Sequence, residues 1–265
     1  MTAIQPVEGP AEPKGDESDE EKAKEEAYAF EHVLERDVPR IYVTPALIAI
    51  NVLVYALMCL KGVDYLRPDG VSLLIWGANY GPLTSIQWWR VVTSIFVHAG
   101  LLHIALNMWA LWDSAHIVER LYGAKRFLVL YMACGVGASL VSLWQHPGIP
   151  SVGASGAIVG VYGCLLAFML HPNEVLSTAA RNTEVKSLLA FFGYLLVAGI
   201  RDSAIDTPAH IGGAVIGFII GLMYAAWIDP HLPRVTAGVL APARAYAHVQ
   251  GSAVISERSS DTQRG

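Results

Sequence analysis

Residues 151–160 read "SVGASGAIVG", a turn of small residues running into an apolar helix with one hydroxyl, Ser155, set among glycines. A packing stripe is served by glycines alone. A nucleophile needs the hydroxyl, room around it and a base brought in from elsewhere. What the rest of the chain is, and whether it delivers that base, therefore decides the reading.

Of the 265 residues, 54% are hydrophobic and only 15% charged. Soluble domains carry about 25% charged residues, so this composition excludes an ordinary soluble protein and predicts an all-α polytopic membrane protein. Six apolar stretches are candidate spans: 41–60, 101–118, 127–144, 155–170, 187–200 and 209–228. Most approach the roughly 20 residues that cross a bilayer. The fifth is the short one, about 14 residues covering about 21 Å. A short span leans on its flanks, thins the bilayer or packs loosely.

The net charge of −5 is concentrated in the tails. Residues 1–40 form an acidic arm, read as disordered or as a solvated helix from its Glu-to-Lys spacings at four. It contains no apolar h-region, so no signal peptide is expected. Residues 41–228 are the membrane core, and 229–265 are read as a disordered tail. Cys59, Cys134 and Cys164 all fall inside spans and read as small buried hydrophobes. The nine histidines are scattered with no HExxH or paired-cysteine spacing, so neither a metal nor a cofactor is expected.

Lys and Arg near span ends favour a cytoplasmic N-terminus: Arg36, Arg40, Arg120, Lys125, Arg126, Arg181, Lys186 and Arg234 then lie inside. Spans two, four and six consequently all begin at the outer face, and their first residues can meet. Span two opens with His103 and Asn107, four apart on one helical face. Span four opens with Ser155, and His210 is the second residue of span six. Gly213, Gly217 and Gly221 form a small-residue stripe within about 60° of His210, and Gly156, Gly160 and Gly163 flank Ser155 on span four. Packing four against six carries Ser155 to His210, a nucleophile with its general base. The helix opening at Ser155 offers free N–H groups, and His103 and Asn107 add donors for an oxyanion hole.

Each feature has a blander reading. A lone Gly-x-Ser-Gly fits packing, and His103 with Asn107 fits a simple interhelical pair. Asp113 and His116, three apart and about 15 Å deeper than His103, read as a structural pair near the inner interface or a proton relay. Asp206 either orients His210 or caps the last helix, the cap being favoured. His98, just before span two, holds water or substrate at the mouth or satisfies loop backbone. It is the conjunction at one depth that favours hydrolysis.

The segments "WWRVVTSIFVHAGLLHIALNMW" (88–109), "ERLYG" (119–123), "GASGAIVG" (153–160) and "AHIGGAVIG" (209–217) resemble the rhomboid intramembrane serine proteases, in that family's order. The resemblance covers about residues 40–230. It implies a six-helix bundle with a long membrane-associated first loop, Ser155 as nucleophile and His210 as its base. It further implies His103, Asn107 and the Ser155 N–H as oxyanion donors, with Gly153 and Gly156 leaving room for the turn. Arg90 and Glu119 match positions that brace the first loop. One departure is plain: where the family commonly places Tyr or Phe to stack on the histidine, this chain has Val159, with Tyr162 a turn further on.

The expected activity is cleavage of single-span membrane proteins in or next to their transmembrane segments, with no nucleic acid involved. Substrate is expected to enter beside spans two and five, and the expected home is a bacterial plasma membrane. Two alternatives stand beside this: a non-catalytic scaffold that binds transmembrane segments, and a transporter hooked on Asp113. A transporter predicts internal repeats and broken midplane helices, and neither is visible.

Overall fold

The computed structural model describes residues 19–171, 176–202 and 205–228. The first 18 residues of the acidic arm and the tail at 229–265, Arg234 included, lie outside the described residues. Everything long is helical. α1 spans Asp19–Asp37 and α2 Val43–Leu60; the loop that follows carries α3 (Gly70–Ile75), α4 (Gly81–Thr84), α5 (Arg90–Thr93) and a 3-10 turn at Ser94–Phe96. Then come α6 (Leu101–Tyr122), α7 (Ala124–Gln145), α8 (Ser155–Leu170), α9 (Thr178–Arg201) and α10 (Thr207–Ile228). Among the described residues there is no strand, only an isolated antiparallel bridge between Asn79 and Ser151.

Sequence-local signals set the boundaries. Asp69 caps α3 by accepting from the Ser72 N–H at 3.0 Å, and Ser177 caps α9 by accepting from the Ala180 N–H at 3.2 Å. Gly123, with φ +82°, ends α6 and begins α7 in a single residue, a conformation that glycine adopts without a Cβ clash.

Among the described residues, the six helices α2 and α6–α10 form the bundle, with α1 packed at one end. Helices α2, α7, α9 and α10 are each long and apolar enough to cross a membrane. α6 reaches that standard only together with residues 90–96, from which it is bent by 92°. Large apolar side chains such as Leu53, Trp109, Val129, Tyr194 and Ile200 face outward, where a soluble protein places polar ones. This is a multi-pass membrane protein.

The short span is not the expected one. α9 runs 24 residues, beginning nine residues before the apolar stretch, because its polar opening "TAARNTEVK" is capped by Ser177 and carries Ala179, Ala180, Arg181, Glu184 and Lys186, all good helix formers. α8 is short instead, with 16 residues covering about 24 Å against a hydrocarbon core of about 30 Å. It tolerates this because α6, α7, α9 and α10 surround it and bury nearly its whole length. At least one end of α8 therefore lies inside the apolar layer.

Two kinds of contact hold the bundle. α8 and α10 touch backbone to backbone: a Cβ built on Gly213 would lie 1.9 Å from the Gly156 carbonyl oxygen, and one on Gly217 1.8 Å from that of Gly160. At the opposite end of the bundle from Ser155, α1 lays Ala23, Phe30 and Leu34 against it, and Phe30 stacks on Phe168 of α8 with centroids 6.3 Å apart. Glu31 of α1 meets His116 of α6 at 2.7 Å, Glu35 meets Arg120 at 3.2 Å, and Glu26 accepts from the Ser177 N–H at the start of α9.

Candidate active site

Ser155 is the first residue of α8, and the turn before it is anchored on both sides. Gly153 takes φ +113°, a value that L side chains rarely adopt, and its N–H donates to the Ser94 carbonyl at 2.9 Å. Ser151 exchanges two backbone hydrogen bonds with Asn79, at 2.8 and 2.9 Å. Asn79 is itself buried, donating to the Ser139 carbonyl at 2.8 Å and accepting from Thr84 at 3.0 Å. The first loop thus scaffolds the serine turn.

The close α8–α10 seam brings His210 to the same place. Its Nε2 lies 2.9 Å from the Ser155 Oγ. Its Nδ1 is buried with no hydrogen-bond partner among the described residues. Asp206 makes no hydrogen bond to it: one carboxylate oxygen accepts from the Ala209 N–H at 3.1 Å and the other from the Ser142 hydroxyl at 2.6 Å, so Asp206 caps α10. Val159 is buried in α8, and Tyr162 does not replace the missing aromatic. The Tyr162 ring packs on Phe191 of α9 at 4.5 Å, and its hydroxyl donates to Asp113 at 2.7 Å.

His103 and Asn107 face the serine turn from α6. A Cβ on Gly153 would lie 2.8 Å from both Cε1 and Nε2 of His103 and 3.8 Å from Nδ2 of Asn107, so only glycine lets the turn come this close. The His103 Nδ1 accepts from the Ala99 N–H at 3.3 Å, which in a neutral ring leaves the proton on Nε2, the nitrogen beside the turn. Asn107 donates one amide hydrogen to the His103 carbonyl at 3.0 Å and keeps its second. His98 is fully buried, its ring edge-to-face with His103 at 5.2 Å, and neither of its nitrogens has a partner among the described residues. Gly156 faces Ala138 and Ala209, where a Cβ would lie 2.5 Å from the Ala138 Cβ.

Behind Ser155 is a cavity of about 20 Å³ lined by Ser94, Ser139, Ser151, Gly153, Ser155 and Asp206 among others. That is room for a single water among polar groups. Sequence inspection missed Asn79, Ser94, Ser139 and Ser142, because isolated small polar residues in a loop and a span carry no signal until the fold gathers them.

The remaining residues sort by position. Arg90 is buried and donates from Nη1 to the Leu74 and Ala78 carbonyls at 2.7 and 3.1 Å, tying the first loop together. Glu119 lies at the far end of α6 and does not touch that loop. Its carboxylate accepts from the N–H groups of Tyr42, Val43 and Thr44 and from the Thr44 hydroxyl, at 2.7–2.8 Å, and so caps α2. Asp113 and His116 do not pair: Asp113 bonds Tyr162, whereas His116 bonds Glu31 and the Trp112 carbonyl. Among the described residues, the one grouping with metal-ligand spacing is Glu31, Glu35 and His116, and its members are already paired with one another and with Arg120.

The sequence profile of the rhomboid domain matches residues 85–227, more than half of the chain, and includes Ser155, His210, His103 and Asn107. The chain belongs to the rhomboid family. It is 34% identical over 200 residues to the rhomboid protease GluP of Bacillus subtilis, covering 75% of this chain and 37% of that one. It is 30% identical to the rhomboid protease AarA of Providencia stuartii over 218 residues, 74% of this chain and 76% of the relative. A rhomboid-like protease of Toxoplasma gondii is 32% identical over 187 residues, 69% of each chain. The chain thus spans little more than a third of GluP and about three quarters of AarA.

Proposed function

We propose that this rhomboid is an intramembrane serine endopeptidase that cleaves membrane proteins in or next to their transmembrane segments. The observation that carries the reading is the 2.9 Å approach of the His210 Nε2 to the Ser155 Oγ, at a helix start beside a polar cavity. His210 takes the hydroxyl proton as Ser155 attacks the carbonyl, then delivers it to the leaving amine. The Ser155 N–H, the His103 Nε2–H and the free Asn107 amide hydrogen converge on the developing oxyanion. A water from the cavity behind Ser155, deprotonated by His210, then hydrolyses the acyl-enzyme. With Nδ1 unpartnered and no ring contact on it among the described residues, His210 is positioned by the packing of α10 on α8 and α7, and with Ser155 it forms a two-residue dyad without an acid.

In this reading the end of the bundle that carries α1 is cytoplasmic, as Arg36, Arg40, Arg120, Lys125 and Arg126 favour, and the Ser155 end opens outward. The home membrane is a bacterial inner membrane. Substrate enters between α6 and α9, which barely touch each other.

The test is cleavage of a single-span substrate in liposomes by the wild type, Ser155→Ala and His210→Ala. Cleavage by the wild type that drops at least about 10³-fold in both variants is expected. Undiminished cleavage by Ser155→Ala overturns the reading and returns the chain to a scaffold that binds transmembrane segments.

A further inference from the structure

Asp113 is a carboxylate in the middle of a membrane-spanning helix, and it is exposed. It continues the outward stripe of α6 formed by Leu102, Leu106 and Trp109. Such a group is costly in hydrocarbon unless something pairs with it or water reaches it. Its Oδ2 accepts from the Tyr162 hydroxyl at 2.7 Å. Its Oδ1 has no hydrogen-bond partner among the described residues, and none of the ion pairs formed there includes it.

Its surroundings fix where it faces. Tyr162 belongs to α8, and the same ring packs on Phe191 of α9 at 4.5 Å. Glu184 of α9 lies within electrostatic reach of Asp113. Asp113 therefore sits at the edge of the gap between α6 and α9, where these two helices barely touch. It lies ten residues along α6 from His103, about 15 Å below the serine turn. The gap thus carries a carboxyl group on each wall, with Glu31 of α1 beside Glu184 where α1 packs on both helices, at a depth that a transmembrane segment held at Ser155 passes.

We propose that Asp113 is a specificity-determining residue, which receives a Lys or Arg side chain from the substrate's transmembrane segment roughly ten residues inward of the cleaved bond. This rests on the protease reading insofar as that reading places substrate in the α6–α9 gap. The preferred substrate class is a single-span protein with a basic residue in the inner half of its span. Oδ1 accepts the charged donor while the Tyr162 hydroxyl holds Oδ2, so the incoming cation meets an oriented carboxylate.

The test measures equilibrium binding by energy transfer in liposomes, using the Ser155→Ala full chain so that binding is read without cleavage. Two single-span substrates differ only in Lys or Leu at that position. About tenfold tighter binding of the Lys substrate is expected, falling to about equal binding when Asp113→Asn is added. Asp113→Lys is expected to reverse the preference toward a Glu substrate. Equal binding of Lys and Leu substrates by the Asp113-containing chain overturns the proposal, and needs no Asp113 variant to fold. A Lys preference that survives Asp113→Asn also overturns it. Because each ratio is taken on one protein sample, a partly unfolded variant does not shift it. Wild-type cleavage of the Leu substrate, run in parallel, reports separately on the protease reading.

Discussion

The centre and the perimeter of this bundle are held by different physics. At the centre, α8 and α10 meet so closely that the Gly213 and Gly217 backbones lie against the carbonyl oxygens of Gly156 and Gly160. Dispersion and close approach do the work there, and the contact runs from Gly156 beside Ala209 to Ala167 beside Gly221. At the perimeter, α9 fully buries only Ala180 and Leu188, and it packs more on α1 than on any other helix. α2 and α9 are instead fixed at one end by carboxylates that cap their N-termini, Glu119 for α2 and Glu26 for α9. The difference assigns the jobs. The proposed Ser155–His210 pair sits on the close seam, and α9, beside the proposed entry gap, is tethered at its N-terminal end.

The sharpest way to break this contrast is Gly217→Val. A side chain there must displace the Gly160 backbone, so a loss of about 3 kcal/mol or more is expected, together with loss of cleavage. Thermal unfolding in detergent reads it; an unchanged melting temperature would mean that the seam is not close-packed. Next comes Glu119→Ala, which strands three N–H groups and a hydroxyl in a buried place. About 2 kcal/mol is expected, with amide exchange rising first at 42–46.

Glu31→Ala removes the partner of buried His116 and loosens α1, the main neighbour of α9. Faster exchange is expected through 178–190 with α8 unaffected, and equal acceleration in both helices would contradict the tethering picture. The smallest effect is Gly193→Ala in α9. Nothing lies within 4 Å of a Cβ there, so the same kind of change that ruins the seam should add about 0.5 kcal/mol of stability.

By itself the sequence determined the class of protein and named the residues that the structure brings together as the proposed pair. A span must satisfy its backbone internally and face lipid, so hydropathy marks it regardless of neighbours. Ser155, His210, His103 and Asn107 were legible because span parity places helix starts at one depth, and because a stripe of Gly213, Gly217 and Gly221 records where another backbone must approach. The tertiary structure decided what those cues leave open. The first turns of α9 are polar, so hydropathy placed the short span at the fifth helix when α8 is the short one. Glu119 and Asp206 found their partners across the bundle, at α2 and Ser142, and Asp113 turned to Tyr162 and away from His116. Periodicity tells which side of a helix is apolar, whereas the partner of a polar group depends on which helix the fold sets opposite it, and no local pattern encodes that.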